Sequence, residues 1–81
     1  MLTELHPYYD SRKSFYKKAM VESVDGGFKL YSYNTLVAEI YDGKAILRGF
    51  YSPTTLRHQK EFLKQNGFKA ESKKQMEEYL I

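Results

Sequence analysis

The sequence predicts an α+β fold: a three-stranded antiparallel β-meander packed against one main helix, with a short carboxy-terminal helix at its edge. Two hairpin signals and one helix pattern predict it. Asp25-Gly26 and Asp42-Gly43 are two-residue turns between apolar segments, because glycine accepts the positive φ that such turns need. Counting outward from the second turn puts Tyr41 opposite Lys44, Ile40 opposite Ala45, Ala38 opposite Leu47 and Leu36 opposite Gly49. Counting from the first puts Leu30 opposite Val21, Ser32 opposite Ala19 and Leu36 opposite Phe15. Both registers gather the apolar side chains on one face, as a half-buried sheet requires. The third feature is the stretch from Ser52 to Gly67, which opens on Ser-Pro and closes on glycine, the start and stop of a helix.

The elements follow in order. Residues 1–10 show no periodicity, and Pro7 breaks any helix there, so they read as an amino-terminal arm. Leu2, Leu5, Tyr8 and Tyr9 make it an arm that docks. The sheet occupies residues 14–51. Phe15, Ala19 and Val21 share one parity, and Tyr16, Met20 and Val24 the other, which suits a strand with both faces partly covered. Phe28 to Tyr41 is rich in aromatic and β-branched residues and reads as one long strand, with a bulge or bend at Asn34. Lys44 to Tyr51 returns as the third strand. The second face of this sheet carries Tyr16, Met20, Tyr31, Tyr33, Val37, Tyr41, Ile46 and Phe50, with Lys18, Glu39 and Arg48 among them.

The main helix spans residues 53–66. Leu56, Gln59, Phe62, Leu63 and Asn66 line one side, and Arg57, Lys60, Glu61 and Lys64 the other. A second helix spans residues 72–80. Ser72 and Gln75 form its capping box, and Met76, Tyr79 and Leu80 form a narrow apolar stripe.

The 81 residues predict a single domain. The chain has no cysteine, which excludes disulfides, thiol chemistry and cysteine-ligated zinc, and its two histidines are too few for a histidine-rich metal site. A net charge of +3 permits a polyanionic partner and argues against an acidic mimic of nucleic acid. No apolar run approaches a membrane span or a signal core, so a cytoplasmic protein without membrane contact is expected. No metal and no cofactor are expected, because carboxylates do not cluster and neither a phosphate loop nor a dinucleotide fingerprint is present.

Chemistry-bearing residues concentrate in Ser52-Pro53-Thr54-Thr55-Leu56-Arg57-His58. One reading is a nucleophile with a base: Ser52, Thr54 or Thr55 with His58. No acidic group or glycine-rich loop nearby completes it, so no catalytic residue is assigned and no enzyme is expected. Another reading is an anion site at the helix start, where free amides and a partial positive charge meet Thr54, Thr55, Arg57 and His58. The plain alternative is a helix cap that satisfies its own amides. A second concentration, Arg12, Lys13, Lys17 and Lys18 around Phe15 and Tyr16, suits phosphate contacts with base stacking. The aromatic sheet face could bind single-stranded bases, bind a protein, or be covered by the two terminal segments.

Three stretches, YDSRKSFYKKA, SYNTLVAEI and YSPTTLRHQKEFLKQNGFKA, together resemble a family of small uncharacterised proteins from bacteriophages, plasmids and other mobile elements of Gram-positive bacteria. The resemblance runs from about Tyr9 to Ala70. Its most specific part is Tyr51-Ser52, Thr54-Thr55, Arg57-His58 and Glu61-Phe62-Leu63. It implies a setting in which small accessory proteins bind host machinery, defence nucleases included, in the manner of anti-CRISPR proteins. It implies no activity.

The expected function is therefore a non-enzymatic module that binds a host protein stoichiometrically, the partner belonging to a defence or nucleic-acid-handling complex. Tyr31, Tyr33, Arg48, Arg57 and His58 are the candidate contact residues. The alternative is direct nucleic-acid binding through Arg12, Lys13, Lys17, Lys18 and the same aromatic face. A free strand edge or the aromatic face would also allow a homodimer.

Overall fold

The computed structural model covers residues 1–81 and contains one antiparallel sheet of five strands, not three. In chain order these are β1 (Leu2–Glu4), β2 (Ala19–Val24), β3 (Gly27–Ser32), β4 (Thr35–Tyr41) and β5 (Lys44–Leu47), each paired with its sequence neighbours. The main helix α1 (Pro53–Gln65) packs on one face. A single helical turn, α2 (Lys73–Met76), continues into a 3₁₀ turn (Glu77–Tyr79), so the expected second helix is shorter and tighter than residues 72–80.

Two corrections account for the extra strands. The arm does not merely dock: Leu2–Glu4 adds a strand to β2, with Leu2 opposite Glu22 and Glu4 opposite Met20. The long strand from Phe28 to Tyr41 is two strands joined by a turn at Tyr33-Asn34. Length alone demands this, since fourteen extended residues would reach about 46 Å in a molecule whose longest extent is 29 Å.

The two glycine turns set the register as the sequence predicts. Val21 faces Leu30, Ala19 faces Ser32, Ala38 faces Leu47, Ile40 faces Ala45 and Tyr41 faces Lys44. The register of β3 against β4 shifts between Leu30 and Tyr31, so that Leu30 faces Ala38 while Tyr31 faces Leu36. Val37 is the extra residue of this bulge. It turns inward beside Ala38 and is buried, whereas Leu36 joins Tyr31 on the outer face. Leu36 therefore faces neither Phe15 nor Gly49. Phe50 also leaves the outer face and packs against the core.

The core lies between the inner face of the sheet and α1. It contains Leu5, Phe15, Ala19, Leu30, Val37, Ala38, Ile40, Leu47, Phe62 and Leu63, closed at one side by Ala70 and Met76. None of Met20, Tyr31, Leu36, Tyr41 or Ile46 belongs to it. The terminal segments thus leave the outer face uncovered and seal other places. Leu80 bridges to Leu47, and the Ile81 N–H reaches the Leu47 carbonyl at 3.3 Å, which blunts the β5 edge.

The ends of α1 form as their residues dictate. Ser52 accepts the Thr55 N–H at 3.1 Å, and Pro53 occupies the first turn. At the other end the Phe68 N–H reaches the Leu63 carbonyl at 2.9 Å and the Gly67 N–H reaches that of Lys64 at 3.1 Å. This is a Schellman stop, with Gly67 at φ +86°. At α2, Ser72 caps the Gln75 N–H as expected, but the Gln75 side chain returns to the Glu71 N–H, one residue short of a capping box.

Candidate binding cup

Two turns without glycine stand side by side at the end of the sheet where α1 begins. Tyr16 and Lys17 have φ of 53° and 63°, and the Lys18 N–H closes that turn onto the Phe15 carbonyl at 2.9 Å. Tyr33 and Asn34 have φ of 51° and 68°, and the Tyr33 N–H donates to the Lys18 carbonyl at 2.8 Å. The second bond ties the turns together. Between them lies a concavity of ≈ 280 Å³, the cup, lined by Arg12, Ser14, Phe15, Tyr16, Lys18, Tyr33, Thr54 and His58.

A chain of hydroxyls supports its floor. Ser52 Oγ, which caps α1, donates to Thr55 Oγ1 at 3.3 Å. Thr55 Oγ1 lies 2.9 Å from Ser32 Oγ, and Ser32 Oγ lies 2.8 Å from His58 Nδ1. Either hydroxyl can donate in the Thr55–Ser32 contact, and the direction of the Ser32–His58 bond follows the ring tautomer. Burial pushes the pKa of His58 below the usual 6.5; the Asp10 carboxylate opposes that shift and Arg12 adds to it. The ring is 1% exposed and meets the Phe15 ring edge-on at 4.6 Å, with Tyr33 at 5.9 Å.

Glu61 holds the wall that leads into the cup. The sequence assigns it to the solvent side of α1, yet it is 1% exposed. Its carboxylate accepts the backbone N–H groups of Tyr8 at 2.8 Å, Tyr9 at 3.0 Å and Asp10 at 2.9 Å, and that of the Gln65 side-chain amide at 2.6 Å. Asp10 in turn accepts the Arg12 N–H at 2.9 Å and pairs with Arg57 at 3.0 Å. Partial burial would raise the Asp10 pKa, but the Arg12 amide and the Arg57 guanidinium outweigh it and hold the carboxyl below 3.8.

The candidate contact residues separate into two groups. Tyr33 and His58 meet at the cup, although His58 lies beneath its surface. Tyr31, Arg48 and Arg57 are each engaged inside the molecule. The Tyr31 hydroxyl donates to Glu22 at 3.0 Å on the outer face, which raises its pKa above 10. Arg48 pairs with the buried Glu39 on that same face, and Arg57 pairs with Asp10. Of the basic set, Arg12 and Lys18 line the cup, while Lys13 and Lys17 are exposed beside it. None of these four takes part in an ion pair; the three ion pairs of the protein use Arg48, Arg57 and Lys64. The structure therefore joins two of the five contact candidates, Tyr33 and His58, with two of the four basic ones, Arg12 and Lys18, in one place.

Sequence reasoning missed Ser32 and Glu61. Ser32 carried a signal: it is a hydroxyl at an inward-facing position, opposite Ala19, and a buried hydroxyl needs a partner. Glu61 carried none, because the amides it binds lie more than fifty residues away. The nucleophile reading assigned to Thr54 and His58 also changes. His58 bonds Ser32, whose hydroxyl is 2% exposed, and no carboxylate bonds the ring.

No group of three or more His, Asp or Glu side chains is placed to hold a metal ion. No helix is long and apolar enough to cross a membrane. No curated protein and no solved structure matches the chain. Residues 3–78 match the model of a family of unknown function, DUF8033. With nearly its whole length matched, the chain belongs to the DUF8033 family.

Proposed function

We propose that this protein is a non-enzymatic binding module that acts by stoichiometric binding to a host protein, through the cup and its rim. One observation carries the reading. Tyr16 and Tyr33 are 73% and 50% exposed on backbone that disfavours any side chain, and four cations without ion-pair partners surround them. Exposed tyrosines beside arginine are favoured anchors of protein interfaces. Unpaired cations select an acidic partner surface and speed its approach. The resemblance to mobile-element proteins supplies the setting, a host defence or nucleic-acid-handling complex. The non-enzymatic part of the reading draws on the hydroxyl chain, whose members are directed at one another beneath the cup.

Affinity capture from host lysate with wild-type protein and with Tyr16→Ala/Tyr33→Ala tests it. The expected result is a retained protein at moderate salt that the double variant loses while its circular dichroism stays native. Equal retention by both proteins would remove the cup from the interface.

The free cations favour a second reading, direct nucleic-acid binding through Arg12, Lys13, Lys17 and Lys18 with stacking on the tyrosines. Its signature is steep salt dependence, since each neutralised phosphate releases a counterion. A gel-shift assay with single- and double-stranded oligonucleotides at two salt concentrations distinguishes it from a protein interface. Absence of a shift at low salt would eliminate it.

A further inference from the structure

We propose that the cup is a mononucleotide site, which holds a phosphate monoester against Arg12, Lys18, Thr54 and the Nε2–H of His58 and stacks the attached base on Tyr33. The inference rests on the reading of this end as a contact surface for an anionic partner, and it names the group recognised.

His58 is the first ground. Its Nδ1 is bonded to Ser32, and its Nε2 has no hydrogen-bond partner. The only side-chain nitrogen or oxygen that is both fully buried and unpartnered is Gln59 Oε1. Nε2 of His58 therefore keeps access to the space that the ring lines, which is the cup. In the tautomer whose Nδ1 accepts the Ser32 proton, the ring proton sits on that nitrogen. In that tautomer a nearly buried N–H faces the cup with nothing in the protein to accept it, an unfavourable state that an acceptor ligand relieves.

The remaining donors converge on the same space. Thr54 stands in the first turn of α1, a helix of 13 residues with no acidic residue in that turn. Pro53 has no N–H and Ser52 caps that of Thr55, so the Thr54 amide is the one left free there, and it and the partial positive charge favour an anion. Arg12 and Lys18 bring two positive charges without carboxylate partners, which matches a phosphate dianion better than a carboxylate. Ser14 Oγ accepts the Tyr16 N–H at 2.8 Å and retains its own proton to donate. Half-exposed Tyr33 offers a ring face beside these donors, and every base has a π-face to lay on it. A volume of ≈ 280 Å³ is at the small end of ligand sites, about 300–1,000 Å³, and suits one nucleotide or a chain terminus.

The test titrates the full ¹⁵N-labelled chain with adenosine monophosphate, adenosine, inorganic phosphate and a phosphoserine peptide. Adenosine monophosphate should shift the amides of Lys18, Tyr33 and Thr54 and the His58 ring resonances saturably. It should bind about tenfold more tightly than inorganic phosphate or phosphoserine, the difference being base stacking. Ser32→Ala breaks the hydroxyl chain without touching the cup surface and should weaken binding about tenfold. Arg12→Ala/Lys18→Ala, two surface changes that leave the fold alone, should abolish it, so the proposal stays testable if Ser32→Ala does not fold. Equal binding of adenosine would overturn phosphate recognition, and equal binding of phosphoserine would overturn the base contact. No saturable shift with any probe would overturn the site. If these titrations fail while a host protein or an oligonucleotide still binds through Tyr16 and Tyr33, the contact surface stands and the nucleotide site does not; loss of both removes both.

Discussion

The two ends of the sheet solve the same problem with different residues. At one end the hairpins turn on Asp25-Gly26 and Asp42-Gly43, and glycine takes the positive φ at 82° and 76°. The turns lean on each other through the Asp42 N–H and the Gly26 carbonyl at 3.0 Å. At the other end the left-handed positions belong to Tyr16, Lys17, Tyr33 and Asn34. A residue with a Cβ costs about 1 kcal/mol more than glycine in that conformation. The glycine end gives two of its left-handed positions to glycine and leaves one side chain there, Asp42 at φ 49°, of a residue type that tolerates it. The tyrosine end gives up that energy and presents two aromatic rings and a lysine around a cup. Strain of this kind persists where the surroundings over-determine it, and such places cluster at functional sites. The difference supports the proposal that the tyrosine end is the contact surface and the glycine end its scaffold.

Breaking the scaffold should have the largest effect. Gly27 sits where β3 crosses closest to β4: a Cβ there would lie 1.6 Å from the Ile40 carbonyl oxygen and 2.7 Å from its carbon. Both are backbone atoms, so no side chain can yield and the strands must part. Gly27→Ala should remove about 4 kcal/mol, most of the stability of a domain this small, read as a fall in the urea midpoint. A loss under about 1 kcal/mol would mean that this end deforms readily and is no rigid scaffold.

The tyrosine end has its own support, and Glu61 is its centre. Glu61→Ala strands the amides of Tyr8, Tyr9 and Asp10 and releases the segment that leads to Arg12 and Lys18. The expected loss is about 3 kcal/mol. Amide hydrogen exchange should accelerate at residues 8–10 before it does in β3 and β4. Uniform acceleration across the sheet would show that the two ends unfold as one unit and are not separately held.

The asymmetry also explains what was legible in the sequence. Glycine announces its turns, and two of them were enough to set four strands' pairings, from Ala19 opposite Ser32 to Ala38 opposite Leu47. Tyrosine announces nothing. Tyr33-Asn34 lies inside an aromatic, β-branched run that reads as continuous strand, and only the chain's length against its size argues for a turn. The Val37 bulge follows from that hidden turn, so Val37 and Leu36 exchanged faces. The helix stop at Gly67 and Phe68 was legible because the motif is local. Glu61 was not, because its partners arrive from the far end of the chain. The cup was half legible: its residues were named, but in two separate lists, since the turns that unite Arg12 and Lys18 with Tyr33 and His58 carry no glycine.

A smaller effect should follow acidification, and it belongs to the tyrosine end alone. The folded pKa of His58 lies below 6.5 because the ring is buried. Below pH 6.5 the unfolded chain therefore binds the proton first, and stability falls as pH drops from 6.5 toward the folded value. Asp10 acts lower: its folded pKa is below 3.8, so its contribution is complete above 3.8 and is lost as pH falls through the folded value. Urea midpoints across this range should decline in two stages, and His58→Gln should erase the upper one. The Arg12 guanidinium and the Asp10 carboxylate act on the ring in opposite senses, so Asp10→Asn should extend the lower end of the upper stage to lower pH and leave its onset near 6.5. A decline that begins only below pH 4 would show that the His58 ring is not held neutral.

The smallest predicted effect bears most directly on the comparison. Asn34→Gly and Tyr33→Gly each place glycine at a left-handed position, at φ 68° and 51°. Relief of strain favours the folded state, while the added freedom of glycine favours the unfolded one. Tyr33→Gly also gives up its contact with the His58 ring at 5.9 Å. The net change should be a gain of up to about 1 kcal/mol for Asn34→Gly and nearly zero for Tyr33→Gly. Binding should separate the two variants in the opposite direction. Asn34 does not line the cup, so Asn34→Gly should bind as wild type does. Tyr33→Gly should weaken capture of the partner at least tenfold, a loss of about 1.4 kcal/mol. Stability kept or gained while binding is lost is the pattern of a residue retained for contact at the expense of its own backbone. If both variants bind as wild type and both are more stable, the turn's strain serves no contact, and the tyrosine end is scaffold like the other.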